Sequence, residues 1–263
     1  RKKLESIMIY DESFNIQESF EENIKWLKQV KNGIKNNRFK AYFQPIVNTT
    51  TQQIYKYEAL IRYIDEDNKP ISPLQFLEIA RKAKLYPKVI KIMIHEAINL
   101  IVTKNKRVAV NISFDDISST KTVNYIYDIL QKNSELTHML EFEILESEEI
   151  KDFAAVIAFI TKVKKFGCTV GVDDFGAGYS NFNMLTHLDI DFVKIDGSLI
   201  KNIDTEKNQE IIVSTISNFS KKFGFKTVAE FVSDANIFNK VKELKIDFAQ
   251  GYYFSEPVDI NDI

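Results

Sequence analysis

Acidic and amide side chains stand at the ends of a series of short apolar runs. Glu58 follows QIYKY, Asn111 ends RVAV, Glu143 and Glu146 lie in MLEFEILE, Asp173 and Asp174 end TVGV, Lys194 follows DFV, Glu230 ends FKTVA and Gln250 ends DFA. Six carboxylates and one lysine in this set would repel strongly if gathered in one place without cations, and an oxygen-rich set of this kind suits Mg²⁺ or Mn²⁺. The pair in VDDFGAG is the most specific element: Asp173 can bridge two ions while Asp174 holds one, and Gly176 and Gly178 let the loop turn tightly. A single acid at a strand end is more often a helix cap or a solvated loop residue. Seven successive strand ends of one character are not accounted for in that way. Nucleophiles of the Ser-His or Cys-His type are not required. His95 lies within a helical pattern, His138 before a strand and His187 after the DDFG loop, none at a metal-ligand spacing, and all three read as structural. Cys168, the single cysteine, sits in the apolar run FGCTVGV and reads as a small buried thiol, which favours a reducing compartment.

The elements that must carry these residues follow from the hydrophobic pattern. From Phe39 onward, short runs rich in Val, Ile, Phe and Tyr alternate with longer amphipathic stretches. The strand candidates are FKAYFQPIV, QIYKYEALI, RVAVNIS, MLEFEIL, TVGVDD, DFVKID, FKTVAEFV and DFAQGYYF. Between them lie helical stretches such as KVIKIMIHEAINLIV, TVNYIYDILQK, DFAAVIAFITKVKKF, QEIIVSTISNFSKKF and DANIFNKVKEL. Eight strands interleaved with helices is the rhythm of a TIM-like (β/α)₈ barrel, in which the C-terminal strand ends converge on one face. An open doubly wound sheet is the alternative, but no glycine-rich loop follows the first strand to support a nucleotide-binding version.

The 263 residues, 44% of them hydrophobic, suffice for one large domain. Lys and Arg (35) nearly balance Asp and Glu (37) and are interspersed, so no basic face for polymeric nucleic acid is expected. No apolar run reaches membrane-spanning length and RKKLES lacks the core of a signal peptide, so the expected location is cytoplasmic. Residues 1–37 read as a connector, with SIMIY as a short strand and NIQESFEENIKWLKQVKNGI as a helix, and residues 38–263 as the barrel. The abrupt start at RKK suggests the end of an upstream domain.

The run YEALIR resembles the signature of the EAL domain family. Around it stand FQPI (43–46), NIS (111–113), EILES (143–147), DDFGAGYS (173–180), VKID (193–196), AE (229–230) and QGYYFSEP (250–257), in the family's order and spacing. The resemblance spans about residues 38–260. It implies a TIM-like barrel that hydrolyses the cyclic dinucleotide c-di-GMP to linear pGpG with two Mg²⁺ or Mn²⁺ ions. Carried over by position, Glu58, Asn111, Glu143 and Asp173 would hold one ion, and Asp173, Asp174 and Glu230 the other. Lys194 would orient or deprotonate the attacking water, beside Glu230 and Gln250. Gln44, Leu60, Arg62, Asp196, Gln250 and Gly251 would meet the substrate, Arg62 through its fork of donors. Glu146 would anchor the mobile loop FGAGYSN beside the metal site, near a homodimer interface. The N-terminal SIMIYDESFNIQ resembles the tail and linker after a GGDEF domain, implying a regulatory or sensory partner upstream, with any membrane tether further upstream still.

The chain departs from the family where AEGVE becomes AEFVS. Phe231 for the glycine is expected to crowd the pocket, and Ser233 for the second glutamate to weaken support around it. Ala177 and Asn181 are mild departures. Two functions from different classes therefore stand: an active phosphodiesterase, and a catalytically silent c-di-GMP receptor. Action on another phosphodiester or a phosphate monoester is a third, because periodicity and spacing do not read guanine.

Overall fold

A computed structural model describes residues 12–145, 152–177 and 182–263. The expected strand SIMIY, Glu146 and the loop residues 178–181 lie outside these. The chain divides into two compact units, one of residues 1–39 and 62–89 and one of residues 40–61 and 90–263.

Taken in chain order, the strands are β1 (Phe39–Asn48), β2 (Ile54–Ile64), β3 (Pro70–Ile71), β4 (Val108–Ile112), β5 (Leu140–Leu145), β6 (Thr169–Phe175), β7 (Phe192–Ile195), β8 (Lys226–Ala229) and β9 (Phe248–Gln250). The smaller unit contains helix α1 (Glu12–Lys35), the end of β2, β3 and helix α2 (Leu77–Lys82). Its core is aromatic. The Trp26 ring meets Tyr63 edge-on at 5.8 Å, and Phe39 packs against Tyr63 at 5.4 Å and Phe76 at 5.2 Å, each in the T-shaped arrangement that ring quadrupoles favour. Tyr63 pairs antiparallel with Ile71.

In the larger unit, β1, β9, β8, β7, β6, β5, β4 and β2 are neighbours in that order, and β1 pairs back with β2, so eight strands close a barrel. Helices fill the crossovers: α3 (Tyr86–Lys104), α4 (Phe114–Ser118), α5 (Thr120–Lys132), α6 (Phe153–Lys165), α7 (Phe182–His187), α8 (Gly197–Ile200), α9 (Lys207–Phe223) and α10 (Ala235–Glu243). Their starts follow capping chemistry: the Ser119, Asp152 and Asp234 side chains accept from backbone N–H groups in the first turns of α5, α6 and α10.

Seven of the eight barrel strands are parallel, and β1 is not: it runs antiparallel to β9. The cause is the connection. Only residues 49–53 separate β1 from β2, enough for a turn held by Asn48 Oδ1 accepting from the N–H groups of Thr50 and Thr51, and far too few for a crossover. Across the barrel interior Ile46, Phe192, Val228 and Phe248 form an apolar layer. The polar layer that holds the site belongs to the same inward-facing series, two residues along several strands.

Candidate active site

Alternation along the strands brings the expected residues together. In β2, Glu58 follows Lys56 by two residues. In β5, Glu143 follows Glu141, and Asn111 of β4 lies beside Glu143 in register. Asp173 (β6), Lys194 (β7) and Gln250 (β9) complete the strand contributions, all nearly inaccessible to solvent. Glu230 lies one residue beyond β8, its N–H still bonded to the Ile195 carbonyl at 3.2 Å. Because β1 is inverted, Gln44 enters from the middle of its strand rather than from its end.

Adjacent residues on a regular strand face opposite ways, so Asp173 and Asp174 could not normally serve one site. The ladder between β6 and β7 shifts register between Val172 and Phe175, and Asp174 takes a left-handed φ of 56°. That irregularity turns the second carboxylate toward the first. Two groups of acids result, each with ligand oxygens within 4.8 Å of one another: Glu58, Glu143 and Asp173, and Asp173, Asp174 and Glu230. Asp173 is common to both.

Lys194 holds the cluster together. Its Nζ lies 2.7 Å from Glu230, 2.9 Å from Asp173, 3.0 Å from Glu143 and 3.1 Å from Glu58. An ammonium has three N–H bonds and cannot serve four carboxylates, and Glu143 Oε2 is the oxygen left without a hydrogen bond. Asn111 donates to Glu58 Oε1 at 2.6 Å. Gln250 donates to Glu58 Oε2 at 2.7 Å and to Gln44 Oε1 at 3.0 Å, and Gln44 in turn donates to the Ser255 carbonyl at 3.1 Å. These bonds fix the amides and leave Asn111 Oδ1 and Gln250 Oε1 buried with no partner.

The electrostatics follow from burial. Burial pushes the Glu143 carboxyl up to about 7, with Glu58 and Asp173 adding repulsion against the pull of Lys194 and Lys56. Burial likewise raises Asp173 and Asp174, and raises Glu230 well above the ordinary range. Glu58 goes the other way: burial opposes its charge, but Lys194 and the hydrogen bonds from Gln250 and Asn111 hold it low. Burial also works against the Lys194 charge, yet Asp173, Glu143, Glu230 and Glu58 lift it well above its ordinary value, so it stays an ammonium.

The donor set fits divalent cations. Five carboxylates against one ammonium leave four uncompensated negative charges when all are ionised, the charge of two divalent ions. All the donors are hard oxygens, and the partnerless Asn111 Oδ1 supplies a neutral one beside the first acid group.

The strands also carry a feature the sequence reading passes over. Lys56, only 2% exposed, lies one layer below Glu58. Its ammonium reaches Glu141 at 2.5 Å and Glu143 at 3.3 Å and stands 3.6 Å from the centre of the Phe192 ring. Lys56 and Glu141 precede Glu58 and Glu143 by two residues, so the two-residue strand period was a signal sufficient to find them.

Leu60 and Asp196 are half-buried, and Asp196 caps α8 by accepting from the Ser198 N–H at 2.9 Å. At Gly251 any side chain would strike the backbone of Val232, so close packing alone demands glycine there. Arg62 belongs to the smaller unit. Phe231 does not crowd the acids, contrary to expectation: it turns outward and is 71% exposed. Ser233 donates to Asp234, the cap of α10. His95 Nε2 lies 2.6 Å from the Tyr125 hydroxyl, and none of the three histidines joins an acid group among the described residues.

The family model described as EAL domain matches residues 27–257. The cyclic di-GMP phosphodiesterase PdeB of Shewanella oneidensis is 28% identical over 263 residues, covering 97% of this chain and 31% of that protein. The cyclic di-GMP phosphodiesterase PdeA of Borreliella burgdorferi is 30% identical over 241 residues, covering 90% and 36%. The chain thus spans about a third of the length of these curated relatives. An EAL domain protein from Listeria monocytogenes EGD-e, known from its crystal structure, superposes with a TM-score of 0.82 at 29% identity, covering 89% of this chain and 94% of that one.

Proposed function

The chain belongs to the EAL domain family, and from that premise we propose that it is a phosphodiesterase that hydrolyses cyclic di-GMP to linear pGpG with two Mg²⁺ or Mn²⁺ ions. The observation that carries this reading is the pair of acid groups joined at Asp173. Relatives named cyclic di-GMP phosphodiesterases support the substrate class.

In this reading Glu58, Asn111, Glu143 and Asp173 hold one ion, and Asp173, Asp174 and Glu230 the other. When bound, the ions supply Lewis acidity, activating water and offsetting charge that develops on the phosphate oxygens. The chain's own residues do the rest. Gln250 and Asn111 lock Glu58 in one orientation through hydrogen bonds of 2.7 and 2.6 Å. Lys194 Nζ, set among Glu230, Asp173, Glu143 and Glu58, orients or deprotonates the attacking water. Gln44 fixes Gln250 through its Oε1 and spends one of its two amide N–H bonds on the Ser255 carbonyl, and it is read as a substrate contact as well. Leu60, Arg62, Asp196 and Gly251 are read as substrate contacts, and Glu146 as the anchor of the loop FGAGYSN. Glu146→Ala with undiminished turnover and Mg²⁺ dependence removes that last role.

Residues 38–263 are read as the catalytic barrel and residues 1–37 as the connector from an upstream GGDEF or sensory domain. The much greater length of the relatives supports that organisation. The domain is read as cytoplasmic and as a homodimer, and none of its described helices is long and apolar enough to cross a membrane.

The test is incubation of the purified chain with cyclic di-GMP and Mg²⁺ or Mn²⁺, with products followed by chromatography. Metal-dependent appearance of pGpG is expected. Binding without product would make the chain a receptor.

A further inference from the structure

Between Glu230 and Val232 the chain crosses from β7 to β9: the Glu230 N–H bonds to the Ile195 carbonyl, and the Val232 N–H bonds to the Gln250 carbonyl at 3.0 Å. The turn falls on Phe231, whose φ of 54° is a left-handed conformation that bulky side chains rarely adopt. The ring is 71% exposed. A residue that strains its own backbone and puts an aromatic ring in water is doubly unfavourable for folding alone, and such outliers cluster at ligand sites.

The ring is nevertheless held in place. It lies directly on Gly197, where even a methyl group would collide with it, in the turn that carries Asp196. Val232, the next residue, is clamped by the close approach of Gly251. The result is a fixed aromatic surface, covered on the side of Gly197 and open to solvent, one residue from Glu230 and so at the edge of the acid cluster.

We propose that Phe231 is a stacking platform for one base of the dinucleotide, and so a specificity-determining residue. This rests on the reading that the acids receive the phosphodiester: with the phosphate there, an attached base lies one nucleotide unit away, at the rim. A planar purine matches the flat, apolar open side of the ring, and a ring already fixed by its neighbours loses little freedom on binding. Phosphates and sugars alone gain nothing from it.

The test compares the intact chain with Phe231→Leu, Phe231→Trp and Phe231→Gly. Calorimetry gives the Kd for cyclic di-GMP, and a 2-aminopurine analogue of the dinucleotide reports stacking by fluorescence quenching. Phe231→Leu is expected to raise Kd by about tenfold, equivalent to ~1.4 kcal/mol, and to abolish the quenching. Phe231→Trp should keep both within about twofold. Phe231→Gly should bind as weakly as the leucine variant while its thermal midpoint rises, because glycine relieves the left-handed strain. Leucine and glycine variants that bind as tightly as the intact chain overturn the proposal alone, as does a fall in midpoint for Phe231→Gly with Kd unchanged, which would assign the ring to packing. An intact chain that neither binds nor cleaves cyclic di-GMP overturns the phosphodiesterase reading and this one with it.

Discussion

Removing the Lys56 ammonium while keeping its bulk, as in Lys56→Met, tests how the barrel interior supports the acids. Lys56 Nζ stands 2.5 Å from Glu141 and 3.3 Å from Glu143. At an effective dielectric of about 20, each contact carries a gross attraction of roughly 5 to 7 kcal/mol, offset in large part by the desolvation of three buried charges. The balance turns unfavourable when only one sign is removed, because Glu141 and Glu143 remain, 2% and 0% exposed. Breaking a buried pair in this way costs about 3–5 kcal/mol, and a domain of this size loses roughly 2–4 °C of melting temperature per kcal/mol. A fall of about 10 °C is therefore expected in thermal unfolding followed by circular dichroism in EDTA. The loss should be larger at pH 8 than at pH 5, where the Glu143 carboxyl holds a proton. Combining Lys56→Met with Glu141→Leu removes one charge of each sign, leaves Glu143 to Lys194 and should restore stability to within about 1 kcal/mol of the parent. Because Lys56 also steadies Glu143, Mn²⁺ affinity of the single variant should fall about tenfold. A destabilisation under about 1 kcal/mol, insensitive to pH, would mean that Lys56 does not support the acids.

Lys194→Met removes the charge shared by four carboxylates, so turnover should fall by at least about 10²-fold, checked by pGpG formation under saturating Mn²⁺. The metal-free chain should lose stability as pH rises from about 4.5 to about 7. Over that window folded Glu143 holds a proton that the unfolded chain has released, so the folded state binds more protons, and moving from 4.5 to about 7 removes about 3 kcal/mol from this group. Urea titrations in EDTA check the slope, and saturating Mg²⁺ should flatten it. Burial pushes the Cys168 thiol up to about 12, so it should resist alkylation by iodoacetamide in the native state and react on unfolding.

Much of this architecture is written in residue order. Runs such as RVAVNIS and MLEFEIL declare strands through β-branched and aromatic residues, and β4 and β5 fall within one residue of those bounds at each end. The helices α5, α6, α9 and α10 follow from apolar spacing closed by caps such as Asp152 and Asp234. The acids, amides and lysine of the site were legible because parallel strands in a barrel deliver their C-terminal ends to one face. Less legible was what depends on tertiary geometry. The inversion of β1 follows from a five-residue link whose meaning depends on which strand β1 joins at the seam. Short helices such as α4 and α8 have too few residues to show a period. The outward turn of Phe231 is set by a left-handed φ between two ladders, which an aromatic residue does not announce. The lower layer of Lys56 and Glu141 was within reach of strand alternation and was obscured because a buried lysine is rare.

The proposed chemistry needs two cation sites joined at Asp173. Titration of the metal-free chain with Mn²⁺, followed by calorimetry and by the electron paramagnetic resonance of spin-coupled ions, measures this without any substrate. Two ions per chain with mutual coupling are expected, and Asp173→Asn should abolish the coupling and weaken both sites. One isolated ion, or none, or a coupled pair that survives Asp173→Asn, would contradict it.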